Sequence, residues 1–284
     1  MTTRSRALLT GGVTALALSL AACSSGGSGS HTNGPASGAS HASSGSDNTP
    51  QSAQQALAIA ATRTQQITSA SETLTVRVSG ARSQITTGTI VVQLKPTVEI
   101  GENIDVAAGG TNTRIKAIVT SSALYLSEPA LSKQFGKPWL KIDLKALTGT
   151  AGASLGALVQ SIQGNNFANQ AELLTIAKNT HVVGTQMIDG ISTTESAGSF
   201  PASEAMKVLP AAFRKILGPA LQTLGNSIVS FHVWVDGQHY MRKMVETETA
   251  HAETINTTVT ISGINQPVQI AIPPANQTAV PPGL

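Results

Sequence analysis

Between residues 73 and 79, Leu74, Val76 and Val78 alternate with Thr73, Thr75, Arg77 and Ser79. A period of two sends alternate side chains to opposite faces of a strand, so this segment has one apolar and one polar face. Segments of the same kind follow at 83–94, 97–107, 113–119 and 123–127, separated by Gly80-Ala81-Arg82, Lys95-Pro96, Gly109-Gly110 and Ser121-Ser122. Short polar turns between successive strands build an antiparallel meander. A short strand at 137–143 carries Trp139 and Leu140, read as its buried residues. A second series runs through 181–187, 191–198, 227–235, 239–249, 253–261 and 268–272. Asp189-Gly190 and Asp236-Gly237 mark hairpin turns within it, and Pro273-Pro274 stops it.

Four segments show helical spacing instead. Residues 52–66 form an Ala-, Gln- and Leu-rich amphipathic helix that Ser52 can cap. Helices are also expected at 154–162, with Leu155, Leu158, Val159 and Ile162 on one side, and at 167–178, with Phe167, Ala171, Leu174 and Ala177. In 201–224 the apolar side is Met206, Leu209, Phe213, Ile216, Leu217 and Leu221, and Pro210 and Pro219 must kink or divide the helix. Hydrophobic residues are 40% of the chain and aromatics 3%. The core must therefore be aliphatic.

The chain opens with Arg4 and Arg6 ahead of an apolar run from Ala7 to Leu20, which is too short to span a bilayer. We read residues 1–22 as a signal peptide. Its end, Leu20-Ala21-Ala22-Cys23, resembles the bacterial lipobox, in which small residues fit the peptidase and the cysteine thiol is acylated before cleavage. Cys23 is the only cysteine, so neither an internal disulfide nor a cysteine metal cluster is open to this chain. Removing 1–22 takes two positive charges from 18 Lys+Arg against 15 Asp+Glu, so the mature balance is 16 against 15. Charged residues are 12% of the chain, about half the usual share of roughly 25%. No basic stripe suggests nucleic acid. Residues 23–51 are Ser- and Gly-rich and are read as the acylated cysteine plus a flexible tether, on the order of 30 Å in r.m.s. length. His31 and His41 lie in this tether and are read as solvated. Residues 52–284 are read as a single domain.

Candidates for chemistry are few. Gly152-Ala153-Ser154-Leu155-Gly156 matches the nucleophile-elbow pattern, but no buried strand precedes it. The aspartates that could complete a triad, Asp189 and Asp236, are better explained as turn residues. His181, His232, His239 and His251 lack the spacing of metal ligands, and Glu246 and Glu248 are read as facing solvent. The chain is not read as an enzyme, and no cofactor or metal is expected. Trp139 and Trp234 are read as anchors on the packed face of the sheet, with the mouth of a cavity as the competing role. The helix at 201–224 is the candidate lid, and Lys207, Arg214 and Lys215 give it a basic side, suited either to solvent or to anionic headgroups.

Five pieces resemble a known group: SETLTVRVSG at 71–80, PWLKIDL at 138–144, VVGTQMIDGISTTESAG at 182–198, VWVDGQHYMRKMVET at 233–247 and GINQPVQIAIPP at 263–274. They are similar to the actinobacterial LppX/LprG-like lipoproteins and, distantly, to LolA and LolB carriers. The resemblance spans about residues 52–275 and implies an α+β fold, a strongly curved antiparallel sheet forming a half-open barrel with helices on its concave face. It also implies acyl chains held between sheet and helices. Candidate cavity or lid residues are then Trp139, Leu174, Met206, Leu209, Phe213, Leu217 and Trp234. The expected setting is the extracytoplasmic face of the cell membrane, with a lipid or acylated ligand and an envelope protein as candidate partners. A lined cavity and a filled core use the same aliphatic residues, so an envelope interaction module without lipid stands beside the carrier reading.

Overall fold

Two meanders join along one seam. The computed structural model describes residues 50–146, 156, 159, 171, 173–177, 179–208, 227–250 and 252–281. The first meander comprises β1 (Ser69–Gly80), β2 (Gln84–Gln93), β3 (Glu99–Ala108), β4 (Thr111–Val119), β5 (Ala123–Ser127) and β6 (Trp139–Asp143). The second comprises β7 (His181–Ile188), β8 (Ile191–Pro201), β9 (Ile228–Asp236), β10 (Met241–Ala250) and β11 (Glu253–Ser262). β1 pairs antiparallel with β11, from Ser71 opposite Ser262 to Gly80 opposite Glu253. A two-residue strand, β12 (Thr278–Ala279), runs parallel to β6. The order β12-β6-β5-β4-β3-β2-β1-β11-β10-β9-β8-β7 leaves a twelve-stranded curved sheet open at β7. This is the α+β architecture expected, with one parallel pair at its edge.

Turn chemistry sets the register. Gly109 and Gly110 both have positive φ between β3 and β4, as do Asp189 and Gly190 between β7 and β8. That is the two-residue hairpin whose twist matches the flanking strands. On the outer face, threonines lie opposite one another: Thr73 with Thr260 and Thr89, Thr75 with Thr258 and Thr87. Such cross-strand pairs suit a solvated β surface.

Three helices are described. α1 (Pro50–Thr64) starts two residues before the expected cap, because proline is favoured at the first helical position. Its Leu57, Ala60 and Ala61 join the main core cluster with strand residues such as Val92, Val119 and Val233. The face beneath α1 is therefore the inner, packed face. α2 (Pro129–Phe135) was not expected, and α3 (Ala202–Val208) is the described start of the helix expected at 201–224. Leu174–Ile176 forms a 3-10 turn against α1. Residues 156, 159, 171 and 173 are helical, and most of the other residues of the helices expected at 154–162, 167–178 and 201–224 lie outside the described residues, as do residues 1–49.

One strand expectation fails. Residues 268–272 form no strand; the segment lies across the sheet as a strap. Its Ile270 packs with Ile118, Ala123, Tyr125 and Trp139 on the outer face. Burial of one side produces alternation whether or not the backbone joins a ladder.

Candidate functional site

The inner face can be read across the sheet row by row from the strand register. One row is Ala70, Val92, Ile100, Val119, Leu124 and Ile142, six buried aliphatic residues on β1 to β6. The next row on the same strands is Glu72, Ile90, Glu102, Ala117, Leu126 and Leu140. Two glutamates thus sit in an otherwise aliphatic row with Ile90 between them. Two strand spacings put their Cα atoms about 9–10 Å apart.

Both carboxyls are enclosed. Glu72 is 4% exposed and Glu102 6%. Among the described residues, Glu72 Oε1 and Glu102 Oε2 have no hydrogen-bond partner. Burial raises both acids to about 8, and for Glu72 the nearby Glu102 adds to the effect. A carboxyl with that value is mostly protonated at neutral pH, and then offers both an O–H donor and a carbonyl acceptor.

A second pair lies on β10. Glu246 and Glu248 share the inner face with buried Met244, and Glu248 is 5% exposed with Oε1 unpartnered. Burial is the main cause that raises both to about 7, and Glu248 contributes a smaller part for Glu246. The expectation that this pair faces solvent is thereby corrected: the alternation that carries Met244 inward carries them too. Glu72 and Glu102 escaped the sequence reading altogether. The signal was present for Glu72, which keeps the parity of Leu74, Val76 and Val78.

Glu253 is the contrasting case. It lies on β11 at the same parity as Ile255, Val259 and Ile261, and is buried. Arg82 Nε donates to its Oε1 at 2.8 Å and Nη2 to its Oε2 at 2.9 Å. The Arg82 hydrogen bonds hold its carboxyl below the ordinary value.

Of the candidate cavity residues, Leu174 is buried in the main cluster. Met206 lies in α3. Leu209, Phe213 and Leu217 lie outside the described residues, as do Leu20, Ala21, Ala22 and Cys23. Both tryptophans turn to the outer face, not to the packed inner face. On β6 it is Leu140 and Ile142 that join the main core cluster, so Trp139 points the other way. On β9 the inward residues are Val229, Phe231, Val233 and Val235. Trp234 is buried on the opposite side, with Lys243 Nζ 4.5 Å from its ring centre. His232 stacks on that ring and meets Glu195 through Nδ1 at 2.7 Å. Asp236 is occupied by its turn: Oδ1 accepts from the Gln238 and Tyr240 N–H groups, and Oδ2 from Arg242. The Gly152–Gly156 motif lies almost wholly outside the described residues.

A cleft of about 430 Å³ opens between α1 and β7–β9, lined by the apolar Leu57, Val182 and Val235 and the polar Ser192, Thr194 and Ser196. A second, of about 490 Å³, adjoins it past His239 and is bordered by Arg63 and Gln66. Among the described residues no helix is long and apolar enough to cross a membrane.

No family model and no curated protein matches the sequence. Among solved structures the chain is similar to LprF from Mycobacterium bovis, at 16% identity over 80% of this chain and 98% of that one, with a TM-score of 0.48. It is also similar to lipoprotein LppX from Mycobacterium tuberculosis, at 19% identity over 80% and 100%, with a TM-score of 0.44. A LolA-superfamily protein from Nitrosomonas europaea aligns more distantly, at 11% identity over 77% and 94%, with a TM-score of 0.29.

Proposed function

We propose that this chain is a membrane-anchored lipoprotein of the cell envelope that holds the acyl chains of a lipid against the inner face of its sheet. The observation that carries the reading is the six-strand row of buried aliphatic residues from Ala70 to Ile142, beside a row that holds unpartnered carboxyls. A floor built only to be filled by the protein's own helices has no use for Glu72 and Glu102. A floor that takes a ligand with both a chain and a polar group does. Burying acyl chains is worth about 0.8 kcal/mol per CH₂ group, so aliphatic lining alone supplies the affinity. The mechanism is reversible sequestration with no covalent step. Cys23, acylated at the end of a tether, keeps the domain within reach of the membrane surface.

Native mass spectrometry of the full-length protein as the cell makes it, followed by organic extraction of the same sample, tests this. A non-covalent mass that extraction recovers as a discrete lipid class is the expected result. A protein that carries no such mass, and takes none up from vesicles of its own membrane lipids, is instead an interaction module with a filled core.

A further inference from the structure

We infer that Glu72 and Glu102 are the polar station of the ligand face, where they receive the first oxygen-bearing group of a bound acyl lipid, an ester carbonyl or a hydroxyl. This rests on the lipid-holding reading above, and adds to it which residues read the ligand and what they read. Three observations converge. The two carboxyls stand in one row, on the same face, two strand spacings apart on either side of Ile90. Each is more than nine-tenths buried and keeps an oxygen without a partner among the described residues. On the same face, Glu253 has both oxygens bonded by Arg82, whereas among the described residues neither Glu72 nor Glu102 forms an ion pair.

A buried polar group without a hydrogen bond is destabilising, and a strand position facing the core is better filled by an aliphatic residue. Glu72 and Glu102 are explained when the missing partner comes from outside. Protonated carboxyls fit the chemistry. The O–H donates to an ester carbonyl, and the carbonyl oxygen accepts from a hydroxyl. The adjoining row from Ala70 to Ile142 then runs alongside the acyl chain.

The test uses the full-length protein, two variants and two probes. Palmitoylglycerol carries an ester and hydroxyls, and hexadecane carries neither. Each displaces a fluorescent aliphatic probe. The double variant Glu72→Leu/Glu102→Leu is expected to lose about tenfold or more in affinity for palmitoylglycerol. It should keep its affinity for hexadecane, and its unfolding midpoint should rise, since two unpartnered carboxyls have been replaced by apolar groups. Glu72→Gln/Glu102→Gln keeps a donor and an acceptor at each position and should bind palmitoylglycerol within a few-fold of the parent. The inference is overturned if the leucine pair binds palmitoylglycerol as the parent does, if it loses both probes alike, or if it is less stable or fails to fold, because the carboxyls would then serve the protein itself. A parent protein that takes up neither probe would instead refute the lipid-holding function.

Discussion

At Gly198 a single methyl group has a calculable consequence. A Cβ there would lie 2.7 Å from Phe231 Cζ and 3.0 Å from Thr180 Cγ2. Phe231 is among the largest fully buried side chains and leans on Phe200 at 6.2 Å between ring centres. The strand register places it directly opposite Gly198, so the ring lies over the space a side chain would fill. Gly198→Ala is therefore expected to destabilise the fold by about 1–3 kcal/mol, as overpacking does. Denaturant unfolding checks it, and Phe231→Leu in the same chain should restore part of the loss. An unchanged midpoint would mean that the β8–β9 contact is loose. Cys23 is a residue-scale matter of another kind, since under the proposed function its thiol carries the membrane anchor. Cys23→Ala should release the protein to the medium or leave an uncleaved precursor, as fractionation and blotting would show. Membrane-bound protein of mature size would contradict the anchor.

Elements differ in how much of them can be read from sequence. The strands were legible because each has one wet and one dry face, and alternation reports that difference directly. β5 was expected at its observed bounds, and β2, β4, β9 and β11 within one or two residues at each end. The strap at 268–272 misled because Ile270 is half-buried on a sheet face without its backbone joining the ladder. α2 was missed although Pro129 at its start and left-handed Gly136 at its end are both visible as residues; seven residues with none buried give no periodic signal. The carboxyls of the candidate site were misplaced or unnoticed because a charged residue is ordinarily read as a surface marker. Parity along the strand was the better guide for Glu72, Glu246 and Glu248. α1 tests how the cover is held. Leu57 is fully buried between this helix and the sheet and also borders the cleft toward β7–β9. Leu57→Ala should cost about 2–5 kcal/mol. Amide exchange should speed up first in α1 and not in β1 or β11, since β1 and β11 pair with each other across the seam of the two meanders. Uniform acceleration across the sheet would show that α1 is not a separable cover.

For the whole molecule, the buried acids invert the usual dependence of stability on pH. Glu72 and Glu102 have an ordinary value of 4.5 and rise to about 8 in the folded protein. Between those two values the folded state retains protons that the unfolded chain has released. Stability then falls as pH rises, by about 1.4 kcal/mol per pH unit for each such carboxyl, and levels off once the folded groups have also ionised. Glu246 and Glu248, raised to about 7, act in the same direction over a narrower window. Glu253 opposes them, because Arg82 stabilises its ionised form, and its contribution is lost on acidification. Glu72 and Glu102 face each other across Ile90, and among the described residues no Lys, Arg or His forms an ion pair with either. The expected outcome is a protein more stable at about pH 5 than at about pH 8, the reverse of ordinary acid denaturation. Urea unfolding across that range measures it, and Glu72→Gln/Glu102→Gln should flatten most of the slope, because an amide has no proton to release. A stability that is flat or rises with pH in the parent would mean that these carboxyls are ionised and paired in the folded state. The same slope connects to ligand occupancy. A lipid that hydrogen-bonds the protonated acids holds them neutral to higher pH, so the loaded protein should begin its decline later than the empty one.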